Sequence, residues 1–136
     1  MTGKTDAAAE SMSAEKARQV WQRARCLYDA EALGSALDNM AQAVTADLEH
    51  GNPLLLCVMT GAFVTCSELA LRLAFPLEVD YLHASRYGDK LSGEQLHWIS
   101  RPRIPLAGRH VLIVDDIFDQ GATLVSIADY CRQQGA

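Results

Sequence analysis

The feature that most constrains this chain is a short aliphatic run that passes directly into acids and a glycine turn. It reads Val111-Leu112-Ile113-Val114, then Asp115-Asp116-Ile117-Phe118-Asp119, then Gln120-Gly121-Ala122-Thr123-Leu124. Four consecutive aliphatic residues suit a strand covered on both faces of a parallel sheet. Leu124, Ile127, Ala128 and Cys131 then recur at helical spacing. The junction therefore falls at the carboxyl end of a strand, where open α/β sheets bind ligands. A second unit of the same form lies upstream. Leu54 to Met59 is a continuous apolar run, Thr60-Gly61 a tight turn, and Phe63, Cys66, Leu69, Ala70, Leu73 and Ala74 fit a helix over 62–75 that Pro76 halts.

The remaining segments fill in around these two units. Ser13 can cap a first helix carrying Ala17, Val20, Trp21 and Ala24, ending near 26–28, with Trp21 at core spacing. Asp29 caps a longer amphipathic helix whose Leu33, Ala36, Leu37, Met40, Ala43, Val44 and Leu48 keep the 3.6-residue period down to His50-Gly51. Residues 77–83 alternate like a half-exposed strand, 95–100 offer it a partner across the polar loop 85–93, and a third buried strand covers 110–114. Residues 1–12 read as a disordered leader and 13–136 as one domain. The order of elements predicts α/β, a mostly parallel central sheet flanked by helices. The last helix ends at Gln134-Gly135-Ala136, where a further strand would normally follow, so the domain reads as incomplete at its carboxyl end.

Composition narrows the function. A net charge of −5 disfavours a chain built to coat nucleic acid or an anionic membrane, so neither is expected as a partner. Cys26, Cys57, Cys66 and Cys131 have no C-x-x-C spacing, and the last three lie in apolar segments, which suits free thiols in a reducing, cytoplasmic compartment. His83, His97 and His110 fall on strand segments with no second ligand at metal spacing and read as structural or surface residues.

Asp115 and Asp116 are adjacent, so in a strand they point to opposite faces, and at its end at least one can reach into the crevice. Carboxylates of this kind suit vicinal hydroxyls or hydrated Mg²⁺. Asp119 precedes the helix as either its N-cap or a general base. Gln120-Gly121-Ala122-Thr123 offers successive amides, close backbone approach and a hydroxyl at a helix N-terminus, which suits a monophosphate. Neither a P-loop nor a dinucleotide G-x-G-x-x-G is present. The alternative reading is ordinary capping and solvated acids.

These residues carry a family resemblance. The stretch from Val111 to Leu124 resembles the phosphoribosyl-pyrophosphate signature of the type I phosphoribosyltransferases, and Asp119 resembles the hypoxanthine-guanine branch. Met59-Thr60-Gly61-Ala62-Phe63 looks like that branch's pyrophosphate loop, and Arg86-Tyr87-Gly88 its flexible flap hairpin. The resemblance implies a transferase that moves the 5-phosphoribosyl group of phosphoribosyl pyrophosphate to a 6-oxopurine, with Mg²⁺ as cofactor and a homodimer or homotetramer as assembly. It puts Asp115 and Asp116 on the ribose hydroxyls and metal, Asp119 at N7 of the purine, Gln120, Gly121, Ala122, Thr123 and Leu124 at the 5′-phosphate, and Thr60 and Gly61 at the pyrophosphate. It implies a peptide bond before Thr60 that can be cis. Gln120 and Thr60 depart from the family's usual Thr and Lys or Arg, and the family's purine-contacting residues would lie beyond Ala136. The alternative on the same fold is a phosphoribosyl-pyrophosphate-binding regulator of pyrimidine type that binds RNA, which would be expected to carry a basic face.

Overall fold

A computed structural model describes residues 12–87, 95–118 and 121–136. The expected leader, save Met12, the 88–94 part of the expected flap, and Asp119 and Gln120 lie outside the described residues. The chain divides into two compact units, 1–33 and 34–136.

In the first unit, helix α1 (Ala14–Arg23) begins where Ser13 Oγ accepts the Lys16 amide at 3.3 Å. It stops at Arg23, short of 26–28, because Ala24 turns to extended backbone. The helix buries no residue, and Trp21 is 83% exposed, so its expected core role does not hold. Helical spacing identifies an apolar stripe, and among the described residues of this small unit none covers it. Asp29 Oδ1 accepts the Ala32 amide at 2.9 Å and opens helix α2 (Ala30–Leu48), as its sequence suggests.

The second unit is built on strand β1 (Leu54–Val58), every residue of which is buried. It lies between β2 (Glu78–Tyr87) and β4 (Val111–Val114), parallel to both, while β3 (Gln95–Ser100) pairs antiparallel with β2. The order β3-β2-β1-β4 makes the sheet mostly parallel, with the unbroken apolar run of β1 inside it. β4 departs from expectation: it ends the described order, and Val114 alone is buried while Val111, Leu112 and Ile113 are half-buried. β2 runs further than 77–83 and takes in Arg86 and Tyr87, whose backbones pair with Leu96 and Gln95. The expected flap thus begins as strand.

Helix α3 (Phe63–Ala70) is shorter than 62–75, and Pro76 is not its stop. Beyond Ala70 the bonds tighten to i→i+3, Arg72 N to Leu69 O and Leu73 N to Ala70 O, which buries Leu73 and leaves Leu71 in solvent. Arg72 pairs with Asp38 of α2 at 2.7 Å and Glu68 of α3 at 2.8 Å. Helix α4 (Ala122–Gln133) buries Ile127 and Cys131. Trp98 of β3 meets Tyr130 of α4 at a ring separation of 4.5 Å. Cys57, Cys66 and Cys131 are buried free thiols, and Cys26 is exposed.

One buried carboxylate fixes the approach to β4. Asp80 accepts the amides of Tyr81 at 2.8 Å, Arg103 at 2.6 Å and Ile104 at 2.8 Å, so it fastens the β3–β4 connection to β2. Removing it leaves three part-buried amides without their acceptor, each costing up to about 1–3 kcal/mol. Asp80→Ala should lower unfolding stability by roughly 2–4 kcal/mol in a urea titration on that same basis; a loss below about 0.5 kcal/mol, the size of a neutral surface change, would contradict the anchor.

Candidate functional site

The parallel pairing of β1 with β4, from Leu54 opposite Val111 to Cys57 opposite Val114, brings two strand-to-helix turns to the same sheet end. The turn after β1 holds Met59, Thr60, Gly61 and Ala62, and the Met59-Thr60 peptide bond is cis. The Met59 amide donates to Leu82 O of β2 at 2.8 Å and the Ala62 amide to Val58 O at 3.1 Å, which fixes both ends of the turn. Thr60 and Gly61 lie exposed between them.

The second turn carries Asp115 and Asp116. They lie just past β4, close enough that the Asp116 carboxyl shifts the titration of Asp115. The strand alternation that separates neighbours ends at Val114, so it does not apply to this pair. Asp115 Oδ1 also accepts the Asp116 amide at 2.9 Å. Asp116 in turn lies against Gly61: a Cβ built there would fall 2.6 Å from Asp116 Oδ1. Only a glycine leaves room for that carboxylate, so the two turns form one crevice floor.

Burial raises the Asp115 carboxyl above its ordinary value of 3.8; the Asp116 amide opposes the shift, and the Asp116 carboxylate reinforces it. Burial is the larger cause, with the neighbouring carboxylate adding to it.

The turn closes at Gly121, the N-cap of α4, with φ 74°, and Gly121 supplies no side-chain cap. The ring of Phe118 occupies the space a Gly121 side chain would need. The first intrahelical bond here runs from Val125 N to Gly121 O at 2.9 Å, so the preceding amides of Ala122, Thr123 and Leu124 stand at the positive end of the helix. That arrangement suits an anion. Asp119 and Gln120 belong to this turn in sequence and lie outside the described residues. Arg86 and Tyr87 end β2 about five residues past the Val58–Leu82 pair, on a hairpin leaving the same carboxyl edge.

Sequence reasoning missed two features: the contact of Asp116 with Gly61 and the convergence of the two carboxyls. Both depend on strand register, which a single sequence leaves open.

The raised Asp115 value has a testable sign. The folded chain holds this proton to higher pH than the unfolded chain, so Asp115 favours folding below about 3.8 and opposes it once pH has risen through the raised value. Asp115→Asn should therefore melt higher than the parent at pH 7, with the gain vanishing at pH 3.5. A lower melting temperature at pH 7 would contradict this, as measured by calorimetry at both pH values.

The family model for the phosphoribosyl transferase domain matches residues 25–136. The chain is 34% identical over 103 residues to a hypoxanthine-guanine-xanthine phosphoribosyltransferase of Tritrichomonas foetus, covering 76% of this chain and 56% of that protein. It is 35% identical over 131 residues to a hypoxanthine-guanine phosphoribosyltransferase of Crithidia fasciculata, covering 88% and 62%. Among solved structures, the hypoxanthine-guanine phosphoribosyl transferase of L. donovani superposes with a TM-score of 0.73 at 27% identity, over 82% of this chain and 69% of that one. The chain thus spans less than two thirds of the length of both curated relatives.

Proposed function

The chain belongs to the phosphoribosyl transferase domain family, and from that premise we propose that it serves purine salvage. In this reading it moves the 5-phosphoribosyl group of phosphoribosyl pyrophosphate to hypoxanthine or guanine, releasing pyrophosphate and giving IMP or GMP. The observation that carries the reading is the joined crevice floor: the Asp115–Asp116 pair against Gly61, beside the amides at the start of α4.

Each turn has its own part. The amides of Gly121, Ala122, Thr123 and Leu124, with the Thr123 hydroxyl and Gln120, hold the 5′-phosphate at the positive end of α4. Asp115 and Asp116 accept hydrogen bonds from the ribose hydroxyls. Thr60 and Gly61 present the turn after β1 to the pyrophosphate. Arg86 and Tyr87 start a hairpin that covers the site and excludes water during transfer.

Mg²⁺ fits this donor set, because two converging carboxyls, one with a raised pKa, are hard oxygen ligands short of positive charge. Asp115 and Asp116 would hold it, and when bound it would offset the charge of the departing pyrophosphate.

The reaction is displacement at the anomeric carbon. The bond to pyrophosphate oxygen breaks as the purine N9 bond forms, and positive charge grows on the ribosyl ring. Neighbouring carboxylates stabilise that charge, and Asp119 takes or shares the N7 proton of the purine. The homodimer or homotetramer and the cytoplasmic setting belong to the same proposal. Exposed Trp21, Leu27 and Tyr28 support assembly, and among the described residues no helix is long and apolar enough to cross a membrane.

The test is a transfer assay with hypoxanthine, guanine, xanthine and adenine, run on this chain and on one extended to the length of its relatives. Turnover of the 6-oxopurines, with Asp119→Asn lowering kcat by at least 100-fold and the diphosphate Kd by less than threefold, is the expected result. A preference for adenine, equal losses in kcat and binding, or diphosphate binding without transfer by the extended chain would overturn it.

A further inference from the structure

Phe118 stands in sequence between the acid pair and the start of α4, and the transfer reaction as described leaves its side chain unused. It is not a core residue, for it is 75% exposed. Its ring nevertheless occupies a defined place. A Cβ built on Gly121 would fall 2.7 Å from Phe118 Cζ, 3.0 Å from Cε2 and 3.6 Å from Cε1, so the tip of the ring rests against the Gly121 backbone. Phe118 also lines an apolar cavity of about 240 Å³ with Met40 and Val44 of α2, Leu69 of α3, Leu112 of β4 and Leu124 of α4. Ile117 beside it is 72% exposed and lines no part of that cavity.

Gly121 is a position where such a contact has consequences. Its φ is 74°, and a glycine adopts positive and negative φ about equally readily, so its own backbone preference does not hold it there. As the N-cap of α4 it makes no side-chain cap either. Yet the chain direction at Gly121 decides where the amides of Ala122, Thr123 and Leu124 point. Something outside the glycine has to fix it, and the Phe118 ring is in contact.

We propose that Phe118 is a positioning residue for the 5′-phosphate. It rests on the reading of the start of α4 as the phosphate site, and adds what keeps that site in shape. The ring touches no phosphate oxygen. It acts through Gly121, holding that residue in the left-handed region before the ligand arrives, so that binding does not have to order it. The apolar cavity behind the ring gives it a reason to stay near the turn, since leaving would expose still more apolar surface to water.

Isothermal titration of the full chain with ribose 5-phosphate, and separately with inorganic pyrophosphate and Mg²⁺, tests this. Ribose 5-phosphate needs the amides at α4, whereas pyrophosphate alone reports the turn after β1 and the metal. Phe118→Ala should weaken ribose 5-phosphate about tenfold or more and pyrophosphate less than about twofold, because only the first depends on the order of Gly121. Phe118→Leu should recover affinity to within about threefold of the parent, and Ile117→Ala should change neither ligand by more than about twofold, on the same basis. The melting temperature of Phe118→Ala should stay within about 3 °C of the parent, the scale of an exposed substitution in a chain of this size. In a ¹⁵N-labelled chain, the Gly121 resonances should move on Phe118→Ala more than those of residues 60–62.

Unchanged ribose 5-phosphate binding in Phe118→Ala, parallel losses of both ligands with a fall in melting temperature, or unmoved Gly121 resonances would each overturn the proposal. A parent chain that binds pyrophosphate and not ribose 5-phosphate would instead remove the phosphate site itself, and this inference with it.

Discussion

The site depends on the parallel pairing of β1 with β4. That register sets Cys57 beside Val114, so the residues that follow each strand emerge together at one edge of the sheet. A shift of one residue would move every side chain of β4 to the other face and take Asp116 away from Gly61. The pairing is held at its other end too, where the Leu54 amide donates to His110 O at 2.9 Å and the Glu78 amide to Pro53 O at 3.0 Å. Arg109 reaches across from the foot of β4 to Glu78 and to Asn52 O. The starts of all three parallel strands are thus fastened together, and their carboxyl ends are left to carry the turns.

Stability and function pull in different directions at that edge. β1 is sealed inside the sheet and supplies much of the hydrophobic drive, with Leu54, Leu55 and Leu56 fully buried. The residues after β4 do the reverse: Ile117 and Phe118 stand in solvent, and the half-buried Asp115 carboxyl lies against a second carboxyl. Groups that weaken a fold where they sit are the groups a ligand can reward.

Much of this was legible in the sequence because the decisive patterns were local. Unbroken aliphatic runs marked both strands, helical spacing marked the helices behind them, and Gly121 marked a turn position with positive φ before α4. The Asp29 cap followed from a single residue type in the right place. What escaped was non-local. Trp21 has helical core spacing and is 83% exposed, and α3 ends not at a proline but where its bonds tighten around Leu73. β4 has the composition of an interior strand and sits at the end of the described order. Asp80 reads as one acid in an alternating strand, and only the fold reveals the Arg103 and Ile104 amides it holds.

The central claim is that two turns, joined by the β1–β4 register, make one site for a sugar diphosphate. Isothermal titration of this chain with phosphoribosyl pyrophosphate, with and without Mg²⁺, tests it most directly. The account predicts Mg²⁺-dependent binding that inorganic pyrophosphate competes away and that the paired change Asp115→Asn, Asp116→Asn weakens at least tenfold. Binding that ignores both carboxylates, or no binding at all with Mg²⁺ present, would contradict it.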